Sequence, residues 1–207
     1  WLIFSLIPFY YLPSKKPRNK ISKDIITKGF KELKLVWIQI KLNIKLKQFL
    51  FAFFVYSTAL QTVMLVATYF GEEEIQWTNQ SEKTIGLILS ILLIQIVAIL
   101  GAFLAAKSSS RYGNIKTLIV INLIWGVLCL VAFFIKTPIQ FYFVAAFVGL
   151  VMGALQPLSR STFSKFMPET VDTTSYFSFY GVTEKISIII GMFLFGFIAQ
   201  ITGSMRN

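Results

Sequence analysis

Five apolar stretches, each long enough to cross a lipid bilayer, dominate this chain and leave few folds open to it. They read FLFAFFVYSTALQTVMLVATYF (49–70), TIGLILSILLIQIVAILGAFLAA (84–106), TLIVINLIWGVLCLVAFFI (117–135), IQFYFVAAFVGLVMGALQPLSRS (139–161) and a last one within 174–201. About 20 helical residues, at ~1.5 Å rise each, cover the ~30 Å hydrocarbon layer. Backbone inside lipid has no water to bond, so each stretch must satisfy its N–H and C=O groups internally, as a helix. The expected fold class is therefore all-α, a polytopic transmembrane helical bundle. Charged residues make up 14 % of the chain, against roughly one quarter in soluble domains, which excludes an ordinary soluble domain.

Charge then orients the spans. Net charge is +11, and eleven Lys/Arg between Lys15 and Lys47, against Asp24 and Glu32, place most of it in one loop. That loop, KSSSRYGNIK (107–116) and RSTFSK (160–165) fall on one side; GEEEIQWTNQSEK (71–83) and KTPIQ (136–140) fall on the other. Basic loops remain cytoplasmic, so the first set is inside. A basic block between two membrane segments points to the anionic cytoplasmic leaflet as partner rather than nucleic acid.

The chain divides accordingly into three parts. Residues 1–13 (WLIFSLIPFYYLP) lack the basic start of a signal peptide and read as the exit of a preceding helix. On this reading the chain is an internal piece of a longer polytopic protein. Residues 14–47 form the basic cytoplasmic loop. Its later part sets Leu33, Trp37, Ile40 and Ile44 at helical spacing, as in an amphipathic helix lying on the membrane, although Leu35 and Leu42 fall off that stripe. Residues 48–207 carry the spans.

Little here points to catalysis. There is no histidine, and the one cysteine, Cys129, lies in a span, so neither a disulfide framework nor a thiolate–imidazole metal site is expected. No catalytic residue, metal or cofactor is assigned, and no nucleotide-binding loop is present. Asn79 opens NQS, a pattern short enough that an ordinary surface asparagine is the preferred reading.

Polar residues inside the spans carry the functional signal. Gln61 sits in a polar stripe with Tyr56, Ser57 and Thr58; Gln95, Asn122 and Gln156 are further in-span amides. Such groups face other helices, for packing or to line a cavity. Gly149 and Gly153 form a small-xxx-small pair for close helix contact. Pro157 removes a backbone hydrogen bond and invites a kink, either plain packing or a gate.

SRYGNIK (110–116) resembles the loop signature of the major facilitator superfamily through Arg111, Gly113 and Lys116. Ser110 stands where that signature carries an acid, so the copy is degenerate. GALQPLSRSTFSKFMPE and SYFSFYGVTEKISIIIGMFLFGFIAQITGSMRN are similar to the second half of the vacuolar effluxer-like branch, through Phe177, Phe179, Tyr180, Lys185, Gly191 and the terminal TGSMR. The resemblance implies a C-terminal half, from the end of helix six to helix eleven of twelve, with the N-terminal half of the same protein as partner. It also implies secondary transport by alternating access around a midplane site. The expected substrate is a small molecule, an amino acid by analogy with fungal members, with proton coupling; a bacterial cytoplasmic membrane is the expected location ahead of a vacuolar one. A non-transporting receptor or scaffold, or an inactive truncated fragment, remain alternatives.

Glu184 and Lys185 adjoin inside the last span. With the helix starting near Thr173, Glu184 lies about 17 Å along it at ~1.5 Å per residue. Adjacent residues point about 100° apart, so the two cannot neutralise each other face to face. Snorkelling at the interface is the bland reading. The resemblance favours Lys185 as the cavity-facing member, contacting an anionic substrate group or a partner acid on another helix, with Glu184 as the protonatable one.

Overall fold

The computed structural model describes residues 10–11, 25–169 and 172–203. Among the described residues there are six helices and no strand: α1 (Ile25–Leu42), α2 (Ile44–Glu73), α3 (Gln80–Tyr112), α4 (Asn114–Ala132), α5 (Pro138–Phe166) and α6 (Thr173–Thr202). Helices α2 to α6 are long and apolar enough to cross a membrane, and the chain is an all-helical, multi-pass membrane protein. Of the 1–13 segment only Tyr10 and Tyr11 are described; the rest of it, with 14–24, lies outside the described residues.

The helix ends follow from particular side chains, because the first N–H groups of a helix have no partner within it. Asn43 separates α1 from α2 in an extended conformation, and its Oδ1 accepts from Leu46 N–H at 3.2 Å. Asn79 caps α3 by accepting from Glu82 N–H at 2.8 Å, so the asparagine of NQS serves as a helix cap. Thr137 and Gln140 form a reciprocal capping box, with Pro138 in the first turn of α5. Asp172 caps α6 through Ser175 N–H at 3.1 Å, and Gly203 ends it at φ 66°.

The helices overrun the apolar stretches. α3 continues through Lys107 and Arg111 to Tyr112, so the expected loop 107–116 shrinks to Gly113. That residue has φ 88°, a conformation open to glycine at little cost. α5 likewise runs through RSTFSK to Phe166. Hydropathy marks only the lipid-embedded part of a helix, and a lysine or arginine beyond it does not stop the backbone ladder.

Close helix contacts are made at glycines. A Cβ at Gly149 would lie 2.6 Å from the Ile94 carbonyl oxygen, while those at Gly153 and Gly101 would overlap the carbonyls of Ala98 and Leu150. Backbone approach of this kind replaces the hydrophobic drive that helices lack in lipid. A core of Leu60, Trp125, Val151, Met152, Leu155 and their neighbours joins α2, α4 and α5. Outside it, Ile99, Leu130 and Phe134 are 71, 70 and 74 % exposed, which suits a lipid-facing surface and not water.

The amphipathic stripe in α1 is phased differently from the sequence expectation. Ile40 is fully buried and Leu33 half-buried, but Trp37 and Ile44 are exposed, and the second buried position is Val36. The helix ends at Leu42, so Ile44 belongs to α2 and its azimuth is set by another axis. The buried line docks against Leu46, Phe53, Phe163, Tyr176 and Tyr180.

Candidate functional site

A polar cluster lies where α2, α5 and α6 meet. On α2, Ser57 and Gln61 are four residues apart and so share one face. Gln61 Nε2 donates to Glu184 Oε1 at 2.8 Å. The other carboxylate oxygen faces Arg160 Nη2 of α5 at 3.8 Å, with the glutamate side chain 20 % and the arginine 64 % exposed. Burial of a carboxylate is offset by a hydrogen-bond donor and a countercharge; here one comes from α2 and the other from α5. The hydroxyls of Ser57 and Ser187 are hydrogen-bonded at 3.0 Å just behind it.

A second arm adjoins the first. Tyr56 and Ser159 hydroxyls lie 2.7 Å apart, and Ser159 Oγ is 2.6 Å from the Leu155 carbonyl oxygen. Ser159 directs its one proton to that carbonyl, so Tyr56 is the donor to Ser159. Tyr180 stacks on Phe53 at 4.2 Å between centroids, closing the apolar wall. The cleft between these groups has a free volume of about 20 Å³, room for about one water molecule. Anything larger would have to contact the open side, where Gln156 and Arg160 are exposed.

The sequence candidates therefore fall in different places. Tyr56, Gln61, Gln156 and Glu184 line this cleft. Lys185 does not; it is exposed, one residue further along α6. Gln95 is exposed on α3, and Asn122 donates back to the Leu118 carbonyl at 2.9 Å within α4. Arg111 lies over the Tyr112 ring at 5.4 Å, and Lys116 is exposed. Pro157 is inside α5 and leaves the Gly153 carbonyl without its usual donor.

Arg160 and Ser159 were not singled out by sequence, and Tyr180 only as part of the family resemblance. Arg160 was grouped with a cytoplasmic loop because it follows the last apolar run. The available signal was the lack of any helix stop between Pro157 and Phe166, which keeps Arg160 one turn beyond Gln156 on the same face. Asn114 was missed too. It accepts from Lys165 Nζ at 2.8 Å and donates to Thr162 Oγ1 at 3.2 Å, tying the α3–α4 turn to the end of α5. No group of three or more His, Cys, Asp or Glu able to hold a metal ion occurs among the described residues.

Comparison with known proteins places the chain in a family. The chain is 28 % identical over 206 residues to the uncharacterized MFS-type transporter YxiO of Bacillus subtilis (strain 168), covering 98 % of this chain and 46 % of that protein. It is 31 % identical over 170 residues to autophagy-related protein 22 of Saccharomyces cerevisiae (strain ATCC 204508 / S288c), covering 76 % of this chain and 31 % of the relative. Autophagy-related protein 22 of Eremothecium gossypii is 25 % identical over 224 residues, covering 100 % of this chain and 43 % of the relative. The chain thus spans less than half the length of each of these relatives. No solved structure matches it. The family model described as vacuole effluxer Atg22 like matches residues 1–207, and the chain belongs to that family.

Proposed function

We propose that the chain belongs to a secondary transporter that moves a small solute by alternating access, with the α2–α5–α6 cluster as its solute and coupling site. The observation that carries this reading is the in-span carboxylate of Glu184, held by Gln61 at 2.8 Å and facing Arg160 at 3.8 Å. An ionisable group within a membrane span marks a substrate or ion pathway by default. The names of the relatives, an MFS-type transporter among them, and the family description as a vacuole effluxer support the same class.

The exposed guanidinium of Arg160 suits a carboxylate, which it can bind through two parallel N–H donors. Glu184 suits an ammonium group or a proton. Together they fit the charged ends of a zwitterionic amino acid approaching from the open side, where Gln156 and Arg160 are exposed. Lys185 remains a second cationic contact on the exposed surface. The N-terminal half expected from the resemblance would face this surface and close the pathway. The membrane is proposed to be a bacterial cytoplasmic one, in keeping with the bacterial relative matched over 98 % of this chain, while a fungal relative is matched over 100 % of it.

The test is flux in proteoliposomes carrying the full-length protein, over an amino-acid panel with and without a proton gradient. Glu184→Gln is expected to abolish gradient-driven accumulation while leaving solute counterflow. Arg160→Ala is expected to raise KM for carboxylate-bearing solutes. The groups facing Glu184 are Arg160 from α5, Tyr56 from α2 and Tyr180 within α6, so the pH profile is to be compared in Tyr56→Phe and Tyr180→Phe. Absence of flux for every solute, with binding retained, would favour the receptor reading.

A further inference from the structure

Helix α1 has two apolar faces, and among the described residues only one is packed. Val36 and Ile40, 4 and 0 % exposed, are buried in the aromatic cluster where α1 packs on α6 and α2. Gln39 accepts from Tyr176 O–H at 2.6 Å along one edge, and Trp37 stacks on Phe179 at 5.7 Å along the other. On the opposite side Leu35, Ile38 and Leu42 are 60, 48 and 81 % exposed. Counting 100° per residue, these three lie within about 60° of one another and roughly opposite Val36 and Ile40. Lys31, Lys34 and Lys41 are exposed in and beside the same sector.

Independently of the transport reading, we propose that this outer face of α1 binds anionic lipid headgroups at the basic end of the bundle, with Leu35, Ile38 and Leu42 seated at the acyl boundary. The connection brings this face to the bilayer surface: only Asn43 separates α1 from α2, a membrane-crossing helix. The charge fixes the lipid class, since Lys45 and Lys47 on the first turn of α2 extend the same lysine set and are also exposed. Lysine stems reach along apolar surface and put the ammonium at the phosphates. A neutral bilayer would meet the leucines but leave the lysines without counterions. The docked face shares Phe53 and Tyr180 with the polar cleft, so a lipid that holds α1 in place also holds that wall of the cleft.

Nitroxide labels introduced by Leu42→Cys or Ile38→Cys, in the full-length protein with Cys129→Ala, report depth through relative access to oxygen and to a water-soluble nickel chelate. In phosphatidylcholine vesicles containing phosphatidylglycerol both labels are expected to be oxygen-accessible. In phosphatidylcholine alone, or at about 1 M salt where the screening length falls to ~3 Å, they are expected to be nickel-accessible. Combined Lys31→Gln, Lys34→Gln and Lys41→Gln should cut the anionic preference roughly a hundredfold, at about 1 kcal/mol per lysine and 1.4 kcal/mol per tenfold. Nickel access in every lipid overturns the proposal, as does oxygen access in every lipid, which would mean insertion without charge selection. Labels closed to both probes would place another part of the protein on this face and also overturn it. Anionic-lipid preference of the unsubstituted protein, measured with spin-labelled phosphatidylglycerol and phosphatidylcholine, gives the same decision should a cysteine variant fail to assemble.

Discussion

Gly191→Ala tests whether helix spacing sets the geometry around Glu184. The added Cβ would lie 2.9 Å from the Thr58 carbonyl oxygen and would overlap Thr62 Oγ1. The threonine hydroxyl can rotate, but the carbonyl belongs to the α2 backbone and cannot. Ordinary contact begins near 3.4 Å, so α6 must withdraw by about half an ångström. Glu184 lies two turns away on the same helix. A rigid withdrawal lengthens the Gln61–Glu184 bond from 2.8 Å to about 3.3 Å, past the usual N–H···O range. A bond to a charged group contributes about 1.5–3 kcal/mol, and a half-ångström gap forfeits roughly a quarter of each dispersion contact across the seam. The expected cost is about 1–2 kcal/mol, with reduced gradient-driven flux. Gly196→Ala is the control, because a Cβ there meets nothing within 4 Å on the same helix and alanine is favoured over glycine by up to about 1 kcal/mol. Denaturant titration of the detergent-solubilised protein, with a Gln61→Ala/Glu184→Gln cycle in each background, reads both effects. Equal stability of the two alanine variants, with undiminished Gln61–Glu184 coupling, would refute the reasoning.

Other expectations are simpler. Gly153→Leu should destabilise the α3–α5 pair by about 1–3 kcal/mol, read as a loss of Tm, because the Ala98 carbonyl blocks even a Cβ. Tyr176→Phe removes the 2.6 Å bond to Gln39 and should cost about 1 kcal/mol, seen as faster proteolysis within α1. At the α6 cap, bonds from the Ser175 side chain and backbone hold the Asp172 carboxyl below its ordinary value. A lowered folded-state pKa means the cap is fully effective above the unfolded value and is lost as pH falls through the folded one. Protection of the Ser175 amide, taken relative to its intrinsic exchange rate at each pH, should therefore fall below about pH 4, and Asp172→Asn should remove that fall while keeping the cap.

The degree to which sequence foretold each element follows from how local its cause is. The five spans were legible because burial in lipid acts on every residue of a stretch at once. Their ends were not, because Lys107 and Arg111 are compatible with a continuing helix once the chain has left the hydrocarbon, and Arg160 pairs across helices with a carboxylate inside a span. Gly149 and Gly153 announced close packing by composition, but their contact partners Ile94 and Ala98 carry no such mark. For α1, a stripe through Trp37 and Ile44 assumed one unbroken axis, and Asn43 breaks it.

The charge pair at 184–185 shows where sequence reasoning stops. Sequence alone determined that the chain is helical, that it crosses the membrane repeatedly, which end of the bundle is basic, and that two adjoining charges lie within the last span. These follow from hydropathy, helical rise and charge counts, all additive along the chain. It could not determine azimuth, since a 100° step separates the two side chains whatever their neighbours are. Only the tertiary structure turned Glu184 toward Gln61 and Arg160 and left Lys185 on the outside. The cause is pairwise: a carboxylate is stabilised where α2 offers an amide donor and α5 a guanidinium, partners more than twenty residues distant in the chain and adjacent only in the folded bundle.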